Sequence, residues 1–229
     1  MSSGKVVIVV TSHSKLGTTD KNTGWYLPEV AHPYDVFTKE NFEVVFISPK
    51  GGKSPMDEGS GVAFKEDSVC QSFLKNKEAM DKIASTGQAK DINPADVKGL
   101  FYAGGHGPMF DLPHATDIAE LGAALYERGC VLGAVCHGTV GFVPIKVGKQ
   151  KTSIVEGQTV TSFTNAEEDA VQLSAVMPFM LETRLKELKA NFVPCDNWAC
   201  NVQVSGKLVT GQNPASATET AKAMVKLMK

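Results

Sequence analysis

Residues 131–142 of the chain read Val131-Leu132-Gly133-Ala134-Val135-Cys136-His137-Gly138-Thr139-Val140-Gly141-Phe142. The apolar run before Cys136 predicts a strand buried on both faces, and the small residues after it predict a sharp turn into a helix. Cys136 then lies at the carboxyl end of a sheet, where open α/β folds place their chemistry. Because the start of a helix favours a thiolate, we expect a lowered pKa for Cys136. The alternative is a buried structural cysteine.

Length and composition restrict the classes of protein to consider. A chain of 229 residues is predicted to form one domain, 1–229, with a sizeable core. A net charge of −2 argues against nucleic acid and anionic membranes as partners. No apolar run approaches the ~20 residues that cross a bilayer. Residues 1–4 lead directly into a strand and lack the features of a signal peptide.

The five cysteines have irregular spacing and include no Cys-x-x-Cys pair, which argues against zinc ribbons and disulfide scaffolds. We therefore expect a reduced, cytoplasmic protein. No ligand spacing for a metal is evident among the histidines that lie outside the cysteine motif: His13, His32, His106 and His114.

Strands and helices alternate along the chain. Buried strands are predicted at 5–11, 44–48, 100–103 and before Cys136, and helices at 26–40 and 116–128. Residues 50–95 begin with a Gly- and Pro-rich stretch and are predicted to be an insertion that contains one helix, 69–83. A strand at 159–163, helices from 166 and over 178–189, a hairpin at 202–210 and a closing helix at 215–228 follow. This order predicts an α/β fold with a doubly wound, mostly parallel sheet and helices on both faces.

Candidate polar groups follow several of these strands or begin the next helix. Glu29 lies near the start of the first helix, beside the expected carboxyl edge of the sheet. Gly104-Gly105-His106-Gly107-Pro108 follows a strand, and its paired glycines suit an oxyanion hole. The acidic turn Glu167-Glu168-Asp169 begins a helix that Thr164 and Asn165 can cap. Simpler interpretations remain: carboxylates that complement helix dipoles, and a tight glycine turn.

His137 directly follows Cys136, and this adjacency bears on its role. Neighbouring side chains diverge on a tight turn, so His137 need not be the base that deprotonates Cys136. Its other ring nitrogen needs a carboxylate partner, for which Glu168 is the candidate. The alternative is a histidine at a helix start whose nitrogens bind only backbone groups.

Three motifs together resemble those of the ThiJ/PfpI superfamily, whose flavodoxin-like core is related to the class I glutamine amidotransferases. They are Ala-Gly-Gly-His-Gly at 103–107, Ala-Val-Cys-His-Gly at 134–138 and Ser-Phe-Thr-Asn-Ala-Glu-Glu at 162–168. Segments 24–33 and 210–216 further resemble the branch that contains heat-shock chaperones and glutathione-independent glyoxalases (glyoxalase III). The resemblance covers nearly the whole chain.

The resemblance implies a role for each site residue. Cys136 matches the nucleophile, His137 its neighbour, Glu168 the acid of the triad, and Glu29 the glutamate that contacts the sulfur. The oxyanion donors match the backbone N–H groups of Gly105 and His137, and His106 would help to bind the substrate. The implied reaction converts methylglyoxal to D-lactate through a hemithioacetal on the cysteine, with no cofactor and no metal. A homodimer is also implied.

Other functions stay open at this point. A holdase chaperone would bind unfolded proteins through an apolar surface. A redox sensor would oxidise Cys136, and a cysteine peptidase would need a groove for a peptide. A glutamine amidotransferase is excluded, because that class has its histidine near the carboxyl terminus and this chain has none after His137.

Overall fold

The computed structural model describes residues 3–229. Met1 and Ser2, the first residues of the segment in which the sequence predicts no signal peptide, lie outside this range. The strands are β1 (Lys5–Val9), β2 (Glu43–Ile47), β3 (Val97–Tyr102), β4 (Val131–Val135), β5 (Lys146–Val147), β6 (Thr152–Ser153), β7 (Thr159–Val160), β8 (Asn191–Phe192), β9 (Val202–Ser205) and β10 (Leu208–Gly211).

The main sheet has six strands in the order β2-β1-β3-β4-β10-β9. Its pairings are parallel except for the antiparallel hairpin of β9 and β10 at one edge. All five residues of β4 are buried, as expected for a central strand that is covered by helices on both faces. The predicted α/β fold with a mostly parallel sheet and a hairpin is therefore confirmed.

The α-helices are α1 (Leu27–Lys39), α2 (Glu58–Ala63), α3 (Ser68–Lys75), α4 (Lys77–Ala84), α5 (Pro108–Asp111), α6 (Thr116–Glu127), α7 (Asn165–Ala170), α8 (Leu181–Glu187) and α9 (Ala217–Met228). They divide between the two faces of the sheet. Apolar side chains of α1, α3, α4 and α9 contribute to the core on one face, and those of α5, α6 and α8 to the core on the other. Within residues 3–229, no helix is long and apolar enough to cross a membrane.

The segment at 50–95 contains more helices than the sequence predicts. The single helix expected at 69–83 is wrong: α3 and α4 are separate helices that meet at Asn76. Asn76 has extended backbone dihedrals, and its side chain accepts a hydrogen bond from the N–H of Ala79. An asparagine that caps the next helix in this way ends the first one. In addition, α2 forms within the Gly-rich stretch, with Asp57 as its cap.

Three other predicted elements differ from the structure. The strand expected at 159–163 is limited to β7, which pairs with β8 in a small separate sheet. The helix expected at 178–189 is shorter: α8 covers only Leu181–Glu187, and Pro178 lies before it. The helix expected after Cys136 is a 3₁₀-helix, Cys136–Phe142, and no α-helix follows it directly in the described part of the chain. All three differences lie after β4 in the chain. Two of these segments contribute Cys136, His137 and Phe163 to one pocket.

Candidate active site

Cys136 lies on a strained turn at the carboxyl end of β4. Its φ is 57°, a left-handed value that is uncommon for residues other than glycine and is frequent at functional sites. Gly138 allows the chain to pass close to β3, because a Cβ atom there would collide with the backbone oxygen of Tyr102. The sharp turn predicted after the strand is therefore confirmed. It leaves the Cys136 residue only 3% exposed.

Glu168 joins two histidines. Its Oε2 lies 2.6 Å from Nε2 of His137, and its Oε1 lies 2.9 Å from Nε2 of His106. Nδ1 of His137 lies 3.4 Å from Sγ of Cys136. The structure thus brings Cys136, His137 and Glu168 into the order that the sequence predicts, and it adds His106 as a second partner of the carboxylate.

The charges of this group follow from its surroundings. Burial acts to raise the pKa of Glu168, but the two imidazoles outweigh it and hold that pKa far below its usual range. Burial and the nearby His106 lower the pKa of His137, although Glu168 acts in the opposite direction. At neutral pH a carboxylate therefore accepts an N–H from each imidazole. Because Nε2 of His137 carries that hydrogen, its Nδ1 presents a lone pair to Cys136.

Glu29 comes from the first turn of α1 and is completely buried. Burial raises its pKa to about 8, although the thiol of Cys136 and the backbone N–H groups of Gly104 and Gly105 act to lower it. Neither carboxyl oxygen makes a well-aligned hydrogen bond. Gly104 is required at this point, because a Cβ atom there would collide with Oε2 of Glu29. Glu29 is therefore an uncharged acid at neutral pH, held beside the sulfur.

The expectation of a lowered pKa for Cys136 is wrong. Burial raises the pKa of the thiol well above its usual value, and the negative charge of Glu29 raises it further. The backbone N–H of His137 acts in the opposite direction but does not compensate. The sequence suggested the helix start as the dominant influence, whereas the enclosing pocket and the neighbouring acid dominate.

The backbone donors predicted for an oxyanion hole lie in the same pocket. The N–H of His137 interacts with Sγ of Cys136, and the N–H of Gly105 interacts with the carboxyl of Glu29. Gly105 has a φ of 92°, which a residue with a side chain rarely adopts. Their role as oxyanion donors stays a prediction.

These groups line a cavity of about 90 Å³, which has room for only a few water-sized groups. Its polar wall consists of Cys136, His137, His106 and Glu29. Aromatic side chains, which sequence reasoning missed, form much of the remaining wall: Tyr26, Phe163 and Trp198. The ring centroid of Phe163 lies 4.4 Å from that of His137 and 5.7 Å from that of Trp198. No local sequence signal connects Trp198 to this site.

Glu167, the neighbour of Glu168, is a second buried carboxylate with a different task. Its Oε1 accepts hydrogen bonds from the backbone N–H of Trp198 at 2.9 Å and from Nδ2 of Asn213 at 2.8 Å. Its Oε2 accepts from the N–H and the hydroxyl of Thr164, both at 3.0 Å. Glu167 therefore ties the loop that carries Trp198 to the start of α7. The sequence signal was the capping pair Thr164 and Glu167, which indicates the cap but not the loop.

The donor atoms of His106, His137 and Glu168 lie within 4.8 Å of one another, a grouping that the spacing of the histidines along the chain does not reveal. A metal ion has suitable ligands here in principle. All three residues belong to the hydrogen-bonded group around Cys136, in which Glu168 binds both imidazoles, so the triad arrangement accounts for the cluster.

Comparisons with known proteins agree with this geometry. The model of the DJ-1/PfpI family matches residues 24–227. The glutathione-independent glyoxalase HSP31 of Saccharomyces cerevisiae is 32% identical over 96% of both chains, and hsp3101 of Schizosaccharomyces pombe, also named a glutathione-independent glyoxalase, is 35% identical over 99% of this chain and 96% of its own.

Solved structures extend the similarity to the whole fold. The Rapid Encystment Protein REP24 of Francisella tularensis superposes with a TM-score of 0.93 at 32% identity, over 99% of each chain. Glyoxalase III of Candida albicans gives a TM-score of 0.91 at 27% identity, over 99% of this chain and 98% of its own. Since the family model covers most of the chain and relatives above 30% identity cover nearly all of it, this protein belongs to the DJ-1/PfpI family.

Proposed function

We propose that this protein is a glutathione-independent glyoxalase that converts methylglyoxal to D-lactate. The observation that carries the proposal is the completely buried carboxyl of Glu29 next to Cys136, with its pKa raised to about 8. An acid of this kind can both donate and accept a proton near neutral pH. The names of the full-length relatives support the same assignment.

In the first step, Cys136 forms a bond to the aldehyde carbon. The thiol proton passes to Nδ1 of His137, and Glu29 protonates the aldehyde oxygen, which gives a hemithioacetal. The Cys136 thiol does not need to be ionised beforehand, because the imidazole removes its proton as the bond forms. Glu168 stabilises the imidazolium that results.

The second step moves hydrogen between two carbons without a change in overall oxidation state. Glu29, now a carboxylate, removes the hydrogen on the former aldehyde carbon, while His137 protonates the ketone oxygen to give an enediol. Glu29 then returns a proton to the second carbon, and His137 takes the proton of the other hydroxyl. The product is a 2-hydroxy thioester on Cys136.

The last step is hydrolysis of the thioester. Glu29 takes a proton from water as its oxygen bonds to the carbonyl carbon, and His137 protonates the departing sulfur. Lactic acid leaves, and both residues return to their starting forms. We propose that the N–H groups of Gly105 and His137 bind the oxyanion and that His106 contacts the substrate.

The size and chemistry of the pocket favour this reaction over the alternatives. A cavity of about 90 Å³ suits a three-carbon dicarbonyl and not a peptide chain. The raised pKa of Cys136 and its burial also disfavour direct oxidation, which requires an accessible thiolate.

The deciding experiment is incubation with methylglyoxal in the absence of glutathione and of added metal, with resolution of the lactate enantiomers. D-lactate that depends on Cys136 supports the proposal, whereas a racemic product or none contradicts it. We also propose a homodimer with a complete site in each subunit. Light scattering that reports a monomer at micromolar concentration would remove that part.

A further inference from the structure

We propose that His32, Asp67 and Cys70 form a binding site for a zinc-type divalent metal ion. The three residues come from two neighbouring helices, and none of them lines the pocket of Cys136. His32 belongs to α1, Asp67 caps α3, and Cys70 lies in the first turn of α3. One donor atom from each lies within 4.8 Å of the other two.

The three side chains are the ligand types that zinc prefers: an imidazole, a carboxylate and a thiolate. Nε2 of His32 lies 3.1 Å from Oδ2 of Asp67. Ligand atoms around a tetrahedral zinc ion are about 3.3–3.6 Å apart, from the usual bond lengths. The nitrogen and oxygen are thus nearly at this spacing, and the sulfur of Cys70 lies within 4.8 Å of both.

The two carboxylate oxygens of Asp67 have different hydrogen-bond partners. Oδ1 accepts the backbone N–H of Cys70 at 2.8 Å and so caps α3, whereas Oδ2 faces His32. A metal ion would therefore use Oδ2 without disturbing the cap. The Asp67 and His32 side chains are about one quarter exposed, which leaves an approach for the ion and for a water as fourth ligand.

A residue behind His32 is placed to orient the ring. Nδ1 of His32 lies 2.8 Å from the hydroxyl of Thr218 on α9. When Nδ1 carries the hydrogen and donates it to Thr218, Nε2 presents its lone pair towards Asp67 and Cys70. Such outer partners are typical of histidines that bind metals. Without an ion, the other tautomer satisfies both contacts as hydrogen bonds.

The fully buried Cys70 completes the site. Burial and the charge of Asp67 raise the pKa of its thiol to about 12. A bound divalent cation reverses this effect and stabilises the thiolate, with release of one proton to solvent. Because α3 lies in the 50–95 segment and α1 carries Glu29, the ion would cross-link that segment to the helix that holds the proposed proton shuttle.

Cobalt(II) tests the site, because a thiolate ligand produces a charge-transfer absorption band in the near ultraviolet. The full-length protein is used with Cys136→Ser, which removes the sulfur near the other histidine cluster. We expect one cobalt ion per chain with this band, competed away by zinc. Cys70→Ser should abolish the band, and Cys130→Ser, a half-buried cysteine elsewhere, should keep it.

A second series keeps the proposal testable if Cys70→Ser misfolds. Thr218→Val should weaken zinc affinity about 10–100-fold, as for other lost outer partners, and Thr218→Ser should restore it. Zinc should raise the melting temperature of the Cys136→Ser protein and raise it less after Thr218→Val. A chain that retains no metal at equimolar zinc, or a thiolate band that survives Cys70→Ser, overturns the proposal.

Discussion

Nε2 of His106 lies 2.9 Å from Oε1 of Glu168, so the acid of the candidate triad serves two imidazoles at once. A carboxylate with two such donors stays ionised even when buried. It also fixes both rings, and His106 and His137 approach to 4.3 Å between centroids. A change at Glu168 therefore affects both histidines of the pocket wall.

Glu168→Gln is expected to weaken both activity and stability. An amide offers one acceptor oxygen, so one of the two histidines faces an NH₂ group and loses its partner. The loss of hydrogen bonds to a charged group predicts roughly 1.5–3 kcal/mol lower stability. Asp169→Asn removes an exposed charge from the same helix and is the matched control. Thermal melts that agree for both variants would contradict the bridging role.

The same residue predicts a dependence of stability on acid. The pKa of Glu168 is lowered in the folded state, so its stabilising effect is present above its unfolded pKa of about 4.3 and is lost as the pH falls through the folded pKa. The difference in melting temperature between wild type and Glu168→Gln should therefore shrink below about pH 4. A gap that stays constant down to pH 3 would exclude this linkage.

Glu29→Gln is expected to reduce kcat by roughly 10²–10⁴-fold, as for the loss of a general acid–base. The amide has nearly the same size but cannot move a proton between carbons. We expect this loss to be at least as large as that from Glu168→Gln. Glu219→Gln, at the exposed first turn of α9, controls for the loss of a first-turn carboxylate, although it also removes an exposed ion pair with Lys222. A Glu29→Gln rate above half of wild type, which is under 1 kcal/mol of barrier, would remove the shuttle role.

Glu29→Gln should not cost stability at neutral pH, even though the residue is buried. Its pKa is raised to about 8 in the folded state, so the folded state holds a proton that the unfolded state releases above about pH 4.3. Stability from this group therefore falls as the pH rises from about 4.3 to 8. The melting temperature of Glu29→Gln relative to wild type should rise across that range and level off above pH 8. A difference that is flat with pH would contradict the raised pKa.

Alkylation rates follow from the surroundings of Cys136. Because burial and Glu29 raise its pKa, iodoacetamide should modify it slowly at pH 6 and faster above pH 8. The exposed Cys195 and Cys200 should react first at pH 7. In Glu29→Gln the repelling charge is gone, so Cys136 should react faster than in wild type at pH 8–9. Mass spectrometry of labelled peptides measures all three sites. If Cys136 is labelled fastest at pH 6, its pKa is lowered, as the sequence predicts, and not raised.

Glu167→Gln is expected to loosen the loop that carries Trp198. The carboxylate accepts four hydrogen bonds, and weakening them predicts a loss of roughly 1.5–3 kcal/mol of stability and a higher KM. Trp198→Ala, at a residue 48% exposed, should raise KM with little change in melting temperature. If Glu167→Gln leaves KM unchanged while it lowers stability, Glu167 only supports the fold.

The sequence by itself determined the sheet and the position of the candidate nucleophile. Buried parallel strands have continuous apolar runs, and the run at 131–135 ends at Cys136, so a local pattern located both. The hairpin and the capping residues at 164–167 are also local and were predictable. The family motifs added Glu29, His137 and Glu168 as partners, which pattern alone left open.

Only the tertiary structure decided the protonation of the site and the shape of its pocket. The pKa of Cys136 depends on burial and on Glu29, which lies more than 100 residues away in the chain, and these outweigh the local helix start. Trp198 reaches the pocket because buried Glu167 binds its backbone, and Cys70 meets His32 because α3 packs on α1. Such contacts join segments that are distant in the chain, so local periodicity in the sequence cannot predict them.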